Sequence, residues 1–276
     1  MPETNDELDS EPYSPAARTG VFWDRSDVSS SSLFSILVYL AEATEPLSIT
    51  ELSRRSGIHR ATLHRNLESL VNEGWLIRGG RPIRYRLSLR LGQVGLWTLR
   101  QNRVREALLP HAMALCVAIQ KSTSLAFYEE GSVVFTDSIH LVDGTAVPSP
   151  FGNRVPAHTA GPGKMLLAAL PAEERARLLA GTLLALTPRT KSDPEELAAD
   201  LRICRERGYG WSFNEFSEST GGSVGYAVFD HSRHVVACLT QWIRAEDEPS
   251  EAEIEAGLAA AARASSQLGF RGLASP

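Results

Sequence analysis

The chain has 276 residues, 43% hydrophobic and 22% charged, ordinary for a soluble globular protein and long enough for two cored domains. No run nears the ~20 consecutive apolar residues of a membrane span, no basic region followed by an apolar run opens the chain, and Cys116, Cys204 and Cys238 lie too far apart for a CxxC motif, so reduced thiols in a cytoplasm are expected. The formal charge of −5 is unevenly spread: residues 1–28 hold net −5, residues 29–105 hold 12 arginines against 5 glutamates, and residues 106–276 hold net −7.

A basic module between acidic regions is the electrostatic footprint of a segregated DNA-binding domain, although the same arginines can simply solvate a helical surface. Residues 1–28, rich in Glu, Asp, Ser and Pro without a period, read as a disordered acidic tail. Leu33, Ile36, Leu37 and Leu40 mark one apolar helix face, and Pro46 ends that element. Thr50 is the expected N-cap of a second helix that stops at Gly57. A four-residue step leads into a third helix, about 60–73. Its Leu63, Leu67, Leu70 and Val71 face inward, while Ala61, Thr62, Arg65 and Ser69 face outward, flanked by Arg60 and His64. Gly74 closes it. Strands at 75–78 and 84–87 flank the turn Gly79-Gly80-Arg81-Pro82. Three helices and a hairpin predict a winged helix-turn-helix over residues 29–88.

Residues 88–121 read as helical with a break at Pro110: a linker helix over 89–105, then a second domain over 106–270 and a short tail at 271–276. Trp97 and Leu99 on the linker are expected in a dimer or interdomain core. Strands are expected at 123–129 and 132–139, a loop-rich stretch at 140–161, and helices at 162–170 and 171–180. The run Asp193-Pro194-Glu195-Glu196 opens a helix that ends at Gly208. Strands at 208–214, 223–229 and 234–243 follow, and Ser250 with Glu253 caps a last helix ending near Gly269. Helices mixed with hairpin-linked strands give an α+β class.

A major groove about 12 Å wide admits one α-helix, with N-terminal side chains meeting base edges. Ala61 lets the backbone approach, and Thr50, Arg60, His64 and Ser69 are expected at the same DNA interface. Thr62 suits a phosphate or a thymine methyl, and Arg65 a guanine or a phosphate. Arg81 and Arg84 on the wing suit the DNA backbone or minor groove. In the second domain, Gly161-Pro162-Gly163 before a helix points backbone N–H groups and a positive dipole end at whatever lies above, an anion seat suited to a carboxylate effector. Lys164 either adds charge there or points to solvent. The stretch fails as a phosphate loop, because His158 and Met165 stand where glycine and Ser/Thr are needed. Gly221-Gly222-Ser223-Val224-Gly225 matches a nucleophile elbow in letters, but a strand and not a helix is expected after it. Asp230, His231 and His234 crowd a turn and read as solvated turn residues before metal ligands. No catalytic residues, no metal site and no cofactor are expected.

The run from Thr50 through Arg65 to Leu70, then Glu73-Gly74-Trp75-Leu76 and Tyr85-Arg86-Leu87, resembles the helix-turn-helix and wing of the isocitrate-lyase-regulator (IclR) family. Gly152 through Lys164 with Leu167-Ala168 resembles that family's glycine-rich loop and following helix. Thr187, Thr190, the Leu197–Gly208–Tyr209 stretch and Glu215 resemble its next segment. The resemblance spans roughly residues 30–270. It implies a GAF-like effector-binding domain behind the winged helix, a homodimer or dimer of dimers on an operator in double-stranded DNA, and a small-molecule effector held around Val147, Gly161, Pro162, Gly163, Ser212, Ala227, Thr240 and Trp242. The chain departs from the pattern where Ser212 replaces an Asp, where Trp242 replaces a small or serine residue, and where Pro162 interrupts a small-residue stretch. Either the ligand differs from small oxoacids or the pocket is closed.

Overall fold

The computed structural model describes residues 32–219, 221–244 and 247–271. The expected acidic tail at 1–28 lies outside them, as does all but the first residue of the tail at 271–276.

Helices α1 (Ser32–Ala41), α2 (Ile49–Ser56) and α3 (Arg60–Asn72) precede the hairpin β1 (Leu76–Gly79) and β2 (Arg84–Leu87). Ile36, Leu40, Leu52, Leu63, Leu67 and Leu70 close on Leu76 and Tyr85 in one core, while Leu33 stays exposed. The cap of α2 is Ser48 and not Thr50. A capping box needs an acid three residues on, and Glu51 stands three after Ser48. Accordingly Ser48 N–H donates to Glu51 Oε2 at 2.7 Å, and Glu51 N–H donates to Ser48 Oγ at 3.3 Å. Gly57 follows at φ +70°, a left-handed turn that costs glycine nothing and redirects the chain into α3.

Helix α4 (Leu89–Gln101) ends earlier than the expected 89–105 linker. Asn102 adopts extended backbone, and its Oδ1 accepts from Arg105 N–H at 2.9 Å to cap α5 (Arg103–Ile119). Pro110, the expected break, lies inside α5 on an exposed position, where it removes one helical N–H without stopping the helix. The guanidinium of Arg90 donates to the Glu73 carbonyl and sits 4.8 Å from the Trp75 ring, fastening α4 to the winged unit.

The larger unit is built on a six-stranded antiparallel sheet in the order β5-β4-β3-β8-β7-β6. Its strands are β3 (Thr123–Glu129), β4 (Ser132–Val142), β5 (Thr145–Pro156), β6 (Tyr209–Phe213), β7 (Gly222–Phe229) and β8 (Val235–Ile243). The stretch expected as loop is therefore largely strand β5, paired to β4 from Thr145 to Pro156. Pro148, Pro150 and Pro156 disguise it. An edge strand has one side without ladder partners, so missing N–H groups are tolerated there.

Helix α5 and α9 (Glu251–Gln267) cover one sheet face, where Leu115 of α5 shares a core with Ile139, Tyr226 and Leu239 of the sheet. On the other face a single 3-10 turn (Ala157–Thr159) leads into α6 (Gly161–Ala169), followed by α7 (Ala172–Leu179) and α8 (Pro194–Arg207). This core gathers Val133, Phe135, Leu167, Leu197 and Cys238. Helix α6 touches the sheet backbone to backbone. A Cβ on Gly161 would stand 2.1 Å from the Ser223 carbonyl oxygen, and one on Gly225 2.1 Å from Pro162 Cα.

Candidate nucleic-acid interface and ligand cavity

Buried Leu63 and Leu67 anchor α3 and leave its other face in solvent. Ala61, His64, Arg65 and Ser69 are exposed there, and Thr62 is half-buried. Arg60 Nη2 donates to Thr50 Oγ1 at 3.2 Å, which joins the leading ends of α2 and α3. Ser69 Oγ donates to Glu73 Oε1 at 3.0 Å, so its hydroxyl serves the last turn of its own helix. Arg81 stands exposed in the wing turn. Arg84 departs from expectation: its Nη1 donates to the Pro46 carbonyl at 2.7 Å and to Glu51 Oε2 at 3.2 Å. It braces the wing root against α2, because the Pro46 carbonyl and the Glu51 carboxylate are the nearest acceptors. The hydrogen bonds from Ser48, then the charges of Arg84 and Arg55, hold the Glu51 carboxyl below its ordinary range.

On the α6 face of the sheet lies a cavity of about 480 Å³, its open mouth included. Phe135, Asn153, Ser212, Glu215, Ser223 and Trp242 are among its walls. Phe135 and Trp242 have ring centroids 5.1 Å apart, and Phe151 meets Trp242 edge-on at 6.3 Å, forming an aromatic corner. Of the residues expected around an effector, Ser212 and Trp242 line this space. Gly161 stands behind it, its N–H donating to Ser212 Oγ at 2.9 Å and Ser223 Oγ at 3.1 Å. The N–H expected to seat a carboxylate is thus already bonded.

The other expected residues do not line the cavity. Pro162 and Gly163 are pressed against Gly225 and the Ala157 carbonyl, and Ala227 packs in the core alongside them. Val147 is exposed on β5, opposite His140. Thr240 is fully buried beside its cross-strand neighbour Ser124, and neither hydroxyl has a hydrogen-bond partner among the described residues. Phe135, Asn153 and Ser223 enter the wall unanticipated. Alternation along β4 could have flagged Phe135, but Asn153 required recognising β5 behind its prolines.

Lys164 reaches neither the cavity nor solvent. It is fully buried, with Nζ 2.7 Å from Asp200 Oδ2 and 2.5 Å from Glu215 Oε1, while Lys191 lies 3.0 Å from the same Asp200 oxygen. Burial opposes the Asp200 charge, but the two lysines outweigh it and hold that carboxyl below its ordinary value. At Glu215 burial wins over Lys164, and the carboxyl is raised. Glu215 Oε2 has no hydrogen-bond partner among the described residues.

The serine of the elbow-like motif lies within β7, hydrogen-bonded to Ser212, with strand continuing on its far side. Asp230 Oδ1 accepts from Ser232 N–H and His234 N–H and so organises its turn. At the root of α5, Arg105 Nε and Nη2 grip the buried Asp137 of β4 at 2.8 and 2.5 Å, two residues along from Phe135 in the cavity wall.

Residues 33–79 match the model of the IclR helix-turn-helix domain, and residues 97–267 match the C-terminal domain of bacterial IclR transcriptional regulators. The HTH-type transcriptional regulator KdgR of Escherichia coli K12 is 28% identical over 242 residues, covering 86% of this chain and 91% of its own. The transcriptional repressor IclR of the same organism is 25% identical over 209 residues, covering 74% and 76%. Among solved structures, an IclR transcriptional regulator from Alicyclobacillus acidocaldarius superposes with a TM-score of 0.71 at 23% identity, covering 86% of this chain and 97% of its own. An IclR homologue from Microbacterium hydrocarbonoxydans, complexed with 4-hydroxybenzoate, does so at 0.70 and 24%, covering 86% and 99%. With its winged helix-turn-helix and α+β domain matched in order by both models, the chain belongs to the IclR family of DNA-binding transcriptional regulators.

Proposed function

We propose that this protein binds a specific operator through α3 and that a small molecule in the cavity shifts its affinity for that operator. The carrying observation is the face of α3: small and hydrogen-bonding side chains, with Arg65 among them, lie in solvent opposite a fully buried leucine row. Ala61, Thr62, His64 and Arg65 meet base edges or phosphates, Arg60 fixes α3 through Thr50, and Arg81 reaches the flanking backbone. Arg84 serves from behind by bracing the wing. Leu89, Val94, Leu96 and Trp97 of α4 are exposed apolar side chains that suit pairing with a second copy, which would set two α3 helices on successive half-sites. The protein would work in the cytoplasm, where the DNA is.

A carboxylate effector seated on Gly161 is not supported, since that N–H is bonded to two serine hydroxyls. Coupling is proposed to run from Phe135 along β4 to Asp137, through Arg105 to the Asn102 break, and so to α4 and the winged unit. A ligand with different affinity for two arrangements of that path shifts their populations. Fragments selected from genomic DNA by the purified protein provide the operator. Arg65→Ala is expected to lower operator affinity by about 1–3 kcal/mol with unchanged thermal stability. Absence of any sequence preference over competitor DNA at low salt overturns the reading. Arg105→Ala should keep operator binding while blunting the effector response; an intact response removes this route.

A further inference from the structure

The cavity combines an aromatic corner with a carboxylate oxygen that nothing satisfies. Phe135 and Trp242 form two walls, backed by Phe151. Glu215 lines the same space at 6% exposure; its Oε1 is held by Lys164, and its Oε2 has no partner among the described residues. A buried acceptor left unmade is costly, so a ligand that donates to it gains more than one that does not.

Charge then selects among donors. Lys164, Lys191, Asp200 and Glu215 form a linked set of two positive and two negative groups. Among the described residues, no Lys, Arg or His lines the cavity. An anionic ligand would place a second, uncompensated negative charge beside Glu215, and an ammonium would leave the buried set with a net positive charge. An uncharged ring bearing an O–H disturbs neither count.

We infer that the cavity takes an uncharged, phenol-class aromatic ring, packed against Phe135 and Trp242 with its hydroxyl donating to Glu215 Oε2. This rests on the cavity being the effector site, and it names the chemistry of that effector. Burial of the ring against aromatic faces supplies non-directional affinity, and the charge-assisted hydrogen bond supplies selectivity.

The test is calorimetric titration of the full-length protein with three probes of like size: phenol, its methyl ether anisole, and benzoate. Phenol is expected to bind at least about tenfold tighter than either, the selectivity of one buried hydrogen bond to a charged acceptor. In Glu215→Gln, Lys164 holds the amide oxygen and turns the NH₂ toward the cavity, so the acceptor becomes a donor. Phenol should lose its advantage over anisole, and benzoate should gain relative to phenol. Benzoate equalling phenol in the wild type, or a phenol advantage that survives Glu215→Gln, overturns the proposal. If Glu215→Gln does not fold, the wild-type ranking of the three probes decides alone. If none of the three binds, the phenol assignment fails. The broader effector reading is judged separately, by whether any compound in a library screen shifts operator affinity.

Discussion

Helices α3 and α6 each begin at a tight turn, carry basic and small residues early, and drew attention in the sequence as binding elements. The structure gives them opposite fates. Helix α3 is covered on one face only, so Arg65 and His64 remain in water. Helix α6 lies between the sheet and α8, and every residue from Gly161 to Ala168 is buried, Lys164 included. The same residue types therefore do different work. A cation on a half-covered helix is available to a partner, whereas a cation on a sandwiched helix must find its counter-ions inside the protein.

That contrast breaks first if Lys164 proves dispensable. Lys164→Met removes the shared cation and leaves Asp200 and Glu215 buried without it, an expected loss of about 3–5 kcal/mol in urea unfolding. Arg65→Ala on α3 should stay within about 0.5 kcal/mol of wild type. Equal costs for the two would end the distinction. The next largest effect is Gly161→Ala, whose Cβ would meet the Ser223 carbonyl oxygen at 2.1 Å. About 1–3 kcal/mol is expected from overpacking, again read from unfolding curves, and a neutral result would show that α6 can lift from the sheet.

Within the winged unit, Ser48→Ala should cost about 1 kcal/mol as the capping box is lost. Thr50→Ala should cost less, and the reverse order would restore Thr50 as the cap. The smallest effect concerns pH. Asp200 is lowered in the folded protein, so its stabilisation is full above the ordinary carboxyl range and disappears as pH falls through its folded value. Glu215 is raised, so its ionisation costs stability as pH rises from the ordinary range through its folded value. Unfolding measured across acid pH should show Asp200→Asn approaching wild type as pH falls, and Glu215→Gln gaining on wild type as pH rises. Parallel curves for both variants would remove the charge network from the account.

The sequence by itself determined the winged helix-turn-helix, down to the inward leucines of α3 and its outward Thr62 and Arg65. Those features depend on helical period and local turn chemistry, which a single segment carries. It also located α8 and α9 through Asp193 and through Ser250 with Glu253, because caps are local hydrogen bonds. Local signals misled where neighbours compete. Thr50 looked like a cap until Ser48 found Glu51, and Pro110 looked like a break although its position in α5 is exposed. Only the tertiary structure decided that β5 is a strand, since an edge position is a property of the whole sheet. The cavity was decided at that level too. Phe135, Glu215, Ser223 and Trp242 come from segments up to about a hundred residues apart, and whether a polar group faces ligand or counter-ion depends on which layer covers it.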